Sequence, residues 1–326
     1  MSNVRGDILI KKLRRERGLT QIQLSEGICS TDTLSRIERG ERVPSRWVFE
    51  QLMQRLGENP KNYFTDVVTT EDKKIADLKS ELRDLLYVSL HDLPSIKSDQ
   101  CNRKRIDELI EKMEQDKAFV TKENQQFLMR SKASLALVLE NYDDVYKYAM
   151  EALRVTRPNF DEDKIEEYAL SLDEIWLVNQ VAIAHFHFGS IEKSTDIFFE
   201  LQVAIEKRYI DGDEMIYTYS TLLYNLSKNL GILKRYEECL DICDKGIDWC
   251  RKHRDSFHHP LLLATKAFCL FMFDEREEGL TLLKRAYALF IGLERHMELL
   301  QARSYAEKEF DVIISSIEIS DNADKK

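Results

Sequence analysis

Leu19-Thr20-Gln21-Ile22-Gln23-Leu24-Ser25-Glu26-Gly27-Ile28-Cys29-Ser30-Thr31-Asp32-Thr33-Leu34-Ser35-Arg36-Ile37-Glu38-Arg39-Gly40 contains two short helices and the turn between them. Thr20 and Gln23 have capping-box spacing, in which a hydroxyl accepts the third residue's N–H and a glutamine reaches back. The helix they open buries Leu24 and breaks around Gly27-Ile28-Cys29. Ser30 offers a second N-cap, and a helix from about Thr31 to Arg39, with Leu34 and Ile37 as its apolar stripe, closes at Gly40. Upstream, Ile10 and Leu13 lie on a basic first helix that stops at Gly18. Downstream, Pro44-Ser45 opens a fourth helix bearing Val48, Leu52 and Leu56 and ended by Gly57, and Asn59-Pro60 caps a short fifth one through Phe64. Short helices crowded into residues 5–65, the second and third joined by a tight turn, are a helix-turn-helix unit.

The charge distribution agrees. The chain carries a net −10, yet residues 1–66 hold 12 Lys and Arg against 9 Asp and Glu, a balance of +3, while the remainder holds 36 against 49, a balance of −13. Only the first segment can lie against phosphates without strong repulsion. With 11 glycines and 5 prolines in 326 residues, long stretches contain no helix breaker, which favours helices over turn-rich β structure. No run approaches the roughly 18–20 apolar residues that would cross a bilayer. No apolar signal core follows Met1-Ser2-Asn3-Val4-Arg5, so the expectation is a cytoplasmic protein without a membrane partner. The cysteines, Cys29, Cys101, Cys239, Cys243, Cys250 and Cys269, lack framework spacing and are expected as reduced thiols.

The pattern Leu19-Thr20-Gln21-x-x-Leu24-Ser25, Leu34-Ser35-Arg36-Ile37-Glu38-Arg39-Gly40, Pro44-Ser45 resembles the phage-repressor and Cro type of helix-turn-helix. The connection Ser25-Glu26-Gly27-Ile28-Cys29-Ser30 is similar, more narrowly, to regulators of the PlcR/Rgg/NprR type, which are transcription factors that respond to peptide pheromones. In such a unit the third helix enters the major groove with its N-terminal residues facing base edges. With Leu34 and Ile37 turned inward, Thr31, Asp32, Ser35 and Arg36 are left on the DNA side, and the cap Ser30 stands at the same end. Arg36 suits a bidentate contact to guanine, Thr31 and Ser35 can bond several bases, and Asp32 can read a cytosine amino group or orient Arg36. Arg39 and Arg42 are candidate phosphate clamps. The resemblance also implies that Gln21 bonds a phosphate and that Arg14 pairs with Glu38.

From Glu71 onward the chain reads as paired helices. Residues 67–122 are expected as a linker helix and a possible first degenerate repeat. In residues 123–319 a loose period appears. Ala133 with Asn141-Tyr142-Asp143-Asp144 and Ala152 fits the tetratricopeptide pattern, as do Ala182 with Gly189-Ser190-Ile191, Ser227 with Arg235-Tyr236 and Gly246, and Ala267 with Asp274-Glu275-Arg276 and Ala286. The expected fold is therefore all-α: an N-terminal five-helix helix-turn-helix domain (1–66) followed by a right-handed tetratricopeptide-like α-solenoid, with a disordered tail at 320–326. In this register Arg130, Trp176, Asn179 and Phe186, then Tyr224, Asn225, Lys228, Asn229 and Phe268, line a concave groove suited to an extended peptide. Asn can bond both backbone groups, and Arg130 or Lys228 can meet a carboxylate.

Cys239-x-x-x-Cys243, Cys250-x-x-His253 and His258-His259 invite a zinc reading, but Cys239 and Cys243 fall where small residues pack between helices, so no metal is expected. His185-Phe186-His187 has no carboxylate cluster aimed at it. No phosphate loop, nucleophile elbow or paired-acid motif is present, so neither an enzyme nor a cofactor is expected. The expected function is a homodimeric, quorum-sensing-type transcription regulator that grips an inverted-repeat operator in double-stranded DNA and is controlled by a short signalling peptide. In the alternative, the repeats bind a partner protein instead.

Overall fold

Side-chain caps and left-handed glycines cut the N-terminal segment into short helices. In this computed structural model, which describes residues 6–63, 70–91, 100–207 and 213–314, these are α1 (Gly6–Glu16), α2 (Gln21–Ser25), α3 (Thr31–Glu38) and α4 (Arg46–Arg55). The capping box is complete: Thr20 Oγ1 accepts from Gln23 N at 3.1 Å and Gln23 Oε1 from Thr20 N at 2.9 Å. Ser30 and Ser45 cap α3 and α4 through Thr33 N and Val48 N. Arg39 is the C-cap of α3, one residue short of where the sequence placed the last turn. The fifth element is a 3-10 turn, Pro60–Tyr63; Phe64 lies outside the described residues. Ile10, Leu24, Leu34, Ile37, Leu52 and Leu56 are all 0 % exposed, each burial stabilising the unit by about 1.5–3 kcal/mol.

All further regular structure among the described residues is helical: α5 (Thr70–His91), α6 (Gln100–Gln115), α7 (Lys122–Val138), α8 (Tyr142–Thr156), α9 (Leu172–His187), α10 (Ile191–Lys207), α11 (Asp213–Ile232), α12 (Tyr236–His253), α13 (His259–Met272), α14 (Arg276–Gly292) and α15 (His296–Phe310). The chain divides into two compact units, residues 1–215 and 216–326. In the first, α7 packs on α8, α8 on α9 and α9 on α10; in the second, α12 packs on α13, α13 on α14 and α14 on α15. Each helix thus buries its face on its chain neighbours, as in a repeat protein. The tail at 320–326 lies outside the described residues.

One turn recurs. Glu140, Gly189, Lys234, Asp274 and Glu294 all adopt positive φ, between 56° and 80°. At each, the left-handed residue donates to the carbonyl three residues back and its successor to the carbonyl five back, as in Glu140 to Leu137 and Asn141 to Ala136. This is the Schellman closure of a helix end. Four of the five residues are not glycine and accept a left-handed cost of about 1–2 kcal/mol, which the packing of the helices they join offsets. The small residues expected between paired helices are there: Ala133, Ala152, Ala182, Ser227, Ala267 and Ala286 are 0 % exposed.

In the first unit the helix-turn-helix head is seated on the repeats. Ala169, from the loop before α9, joins the head's own core. Arg55 of α4 and Glu174 of α9 are both 0 % exposed and pair at 2.8 Å. Arg157, at the end of α8, pairs with Glu174 and, at 2.9 Å, with Glu26 in the α2–α3 turn. Thr156 Oγ1 and the Ser171 N–H each donate to Glu174 at 2.7 Å. Burial alone would push the Glu174 carboxyl up, but Arg157 and Arg55 outweigh it and hold it at about 2 instead of 4.5. A carboxyl depressed in the fold stabilises it above the unfolded value, and that contribution is lost as pH falls through the folded one. Denaturant midpoints are therefore expected to drop between about pH 4.5 and pH 2, and Glu174→Gln should reduce that drop. An acid profile identical in the variant would contradict the assignment.

Candidate functional site

The α3 face left open by Leu34 and Ile37 carries Thr31, Asp32 and Arg36 in solvent, with Ser30 exposed at its head and Ser35 half-buried. Arg36 Nε stands 3.9 Å from Asp32 Oδ2 on the same face, both side chains in solvent. Arg39 forks onto Glu41 at 2.7 and 2.9 Å and also donates to Ser35 Oγ at 2.8 Å. This pair is exposed on both sides, so water screens it and a phosphate can compete for the guanidinium. Arg42 donates to Thr33 Oγ1 at 3.3 Å. The eight DNA-facing candidates therefore occupy α3, its flanks and the start of α2.

Beneath that face lies the pair implied by the resemblance. Arg14 meets Glu38 through two bonds, at 2.6 and 2.9 Å, and Gln21 Nε2 donates to the same carboxylate at 2.9 Å. Burial raises the Glu38 carboxyl, but the bonds from Arg14 and Gln21 win and keep it below the usual range. α1, α2 and α3 are thus locked through one carboxylate, and Gln21 has a structural partner here.

The groove candidates fare unevenly. In the first unit Arg130 pairs with Asp173, and its guanidinium lies 4.8 Å over the Trp176 ring. Trp176 is 8 % exposed and Asn179 only 1 %, so the open position expected for Asn179 is corrected: its α9 turn faces inward. Its Oδ1 is nonetheless a buried acceptor with no hydrogen-bond partner. Phe186 is half-buried. In the second unit Tyr224, Asn225 and Lys228 share the half-buried side of α11, whereas Asn229 is 1 % exposed. Burial pulls the Lys228 ammonium below the usual lysine range. Phe268 is not on an open face either: it stacks on Phe310 at 5.8 Å and meets Tyr305 edge-on at 4.8 Å, because the last helix covers it. Cys239 and Cys243 are fully buried, with Cys239 Sγ against the Ser227 carbonyl at 3.1 Å.

The sequence reading passed over Arg55, Arg157 and Glu174, and took Gly27 only as a helix break. Arg55 had a signal, since a charged side chain between Leu52-Met53 and Leu56 interrupts an apolar stripe. Ser171-x-x-Glu174 had another, and that capping box is present, but nothing local shows that its carboxylate also serves two arginines distant in sequence.

Residues 8–61 match the helix-turn-helix domain family. No curated protein matches the sequence. Among solved structures, Bacillus thuringiensis PlcR in complex with the peptide PapR7 and DNA is similar at a TM-score of 0.54 and 24 % identity, over 91 % of this chain and 98 % of that one. Its apo form gives 0.52 and 22 %, over 91 % and 97 %. ComR from S. thermophilus, in complex with DNA and its signalling peptide ComS, gives 0.50 and 16 %, over 92 % and 97 %. The chain carries a helix-turn-helix domain at residues 8–61 and, over nine-tenths of its length, has the fold of PlcR and ComR.

Proposed function

We propose that this protein is a transcription regulator that binds an operator through α3 and is controlled by a short peptide bound by its helical repeats. The observation that carries the reading is the division of α3 into two faces: Leu34, Ile37 and Glu38 are fixed in the head, while Thr31 and Asp32 in the first turn and Arg36 one turn further on face solvent on the side that would enter a major groove. Gln21, Ser30, Ser35, Arg39 and Arg42 complete the DNA contacts. The head corresponds to residues 1–66, the connecting helices to 67–122 and the sensor to 123–319, and two copies would meet an inverted repeat about one helical turn apart in the cytoplasm. The reading assigns the chain no catalysis.

Peptide control is supported by the fold shared with two proteins seen with peptides and by the first unit's chemistry. There Arg130, paired with Asp173, lies over the Trp176 ring and sets a cation beside an apolar surface.

Arg36→Ala is expected to weaken binding to a selected operator by about 1–3 kcal/mol and to relax the base preference at one position per half-site. Fluorescence anisotropy with matched and mismatched duplexes measures both. Unchanged affinity together with an unchanged preference would remove Arg36 from the interface.

A further inference from the structure

We propose that Ile22 reads a thymine methyl group in the operator and is a specificity-determining residue beyond the contacts assigned to α3. The inference rests on the DNA-binding reading above. Ile22 is 68 % exposed on α2, whereas Leu24 and Ser25 of the same helix are 0 % and 2 % exposed. The capping box at Thr20 and Gln23 fixes the backbone on both sides of it. Lone exposed apolar side chains are common. What distinguishes this one is its surroundings: it lines a 630 Å³ cleft with Lys11 and Arg15 of α1 and Thr31, Ser35 and Arg39 on the α3 side.

Such a cleft sorts the chemistry of a duplex. The lysine and arginines at its walls suit phosphates, which position the protein without reading sequence. Thr31 and Ser35 suit polar base edges. The one aliphatic surface has no use for either, and the apolar group a base presents in the major groove is the 5-methyl of thymine. Ile22 is held beside the α3 residues that approach the bases, so the thymine it meets would flank the position read by Thr31 and Ser35.

The test uses the full chain and a duplex it enriches from a random pool. Each thymine of that duplex is replaced in turn by deoxyuridine, which lacks only the methyl group, and affinities are measured for the wild type and for Ile22→Ala. The wild type is expected to lose about fourfold at one thymine per half-site, the value of one buried methylene-sized group. Ile22→Ala should bind the thymine duplex about as weakly as the wild type binds the deoxyuridine one, and should ignore that substitution. Methyl-insensitive wild-type binding, an Ile22→Ala variant that still senses the methyl, or an equal loss on every duplex (as a deoxyribose contact would give) each overturns the inference while leaving DNA binding standing. If no duplex is enriched, the DNA-binding reading and this inference fall together.

Discussion

Glu174→Gln is expected to destabilise the first unit by about 3–5 kcal/mol, because it leaves the Arg55 guanidinium buried without a paired carboxylate and Arg157 with only the partly exposed Glu26. Arg55 and Arg157 are 0 % and 1 % exposed, and Glu174 is the carboxylate they share. Glutamine keeps the shape and one acceptor oxygen but removes the charge. Asp173→Asn, one residue away, is a control: Asp173 pairs with Arg130 at a site 33 % exposed on the aspartate side, and losing a solvent-screened pair costs about 0–1 kcal/mol. Urea titrations of the full chain compare the two. A Glu174→Gln loss no larger than that of Asp173→Asn would show that the buried network does not hold the head in place. Replacing Arg55, Arg157 and Glu174 together by apolar residues of similar volume should recover most of the loss, since the cost lies in the unpaired charges.

Gly27→Ala should be comparably severe for a steric reason. Gly27 has φ +70°, and a Cβ there would lie 1.2 Å from the Thr156 carbonyl oxygen. No side-chain adjustment relieves a clash with backbone, so the α2–α3 turn must lift from the end of α8. That movement pulls on the Arg157–Glu26 pair and on the bond from Lys122 Nζ to the Gly27 carbonyl, 3.2 Å long. Gly18 separates the causes: it has φ +67° with nothing within 4 Å of its would-be Cβ, so Gly18→Ala isolates the left-handed strain of about 1–2 kcal/mol. Gly27→Ala is expected to exceed it by at least ~2 kcal/mol in the same titration. Equal losses would mean that the close approach to α8 does not exist in solution.

The head was legible because its information is local. Thr20, Ser30 and Ser45 cap where their spacing said, and Gly18, Gly27, Gly40 and Gly57 all take the left-handed conformation that ends a helix. The repeats were legible through their small buried residues and polar turns, although glycine alone would have found only one of the five Schellman ends, since Glu140, Lys234, Asp274 and Glu294 occupy the others. The groove was read less well. Asn179 and Phe268 fit a periodic face, but a helix of apolar character all round, such as α9, has no unique outward side, and the cover that Phe310 and Tyr305 place over Phe268 comes from a helix outside the repeat period. The buried Arg55–Glu174–Arg157 network could not be read from spacing, because its charges converge only when the head meets α8 and α9.

The most direct test of the central claim is a selection from a random duplex pool by the purified full chain at low salt, followed by sequencing of what it retains. The account predicts an enriched inverted repeat whose half-site centres lie about one helical turn apart, with enrichment at the α3-contacted positions lost in Arg36→Ala. A retained pool indistinguishable from the input, or one that Arg36→Ala enriches equally well, would contradict it.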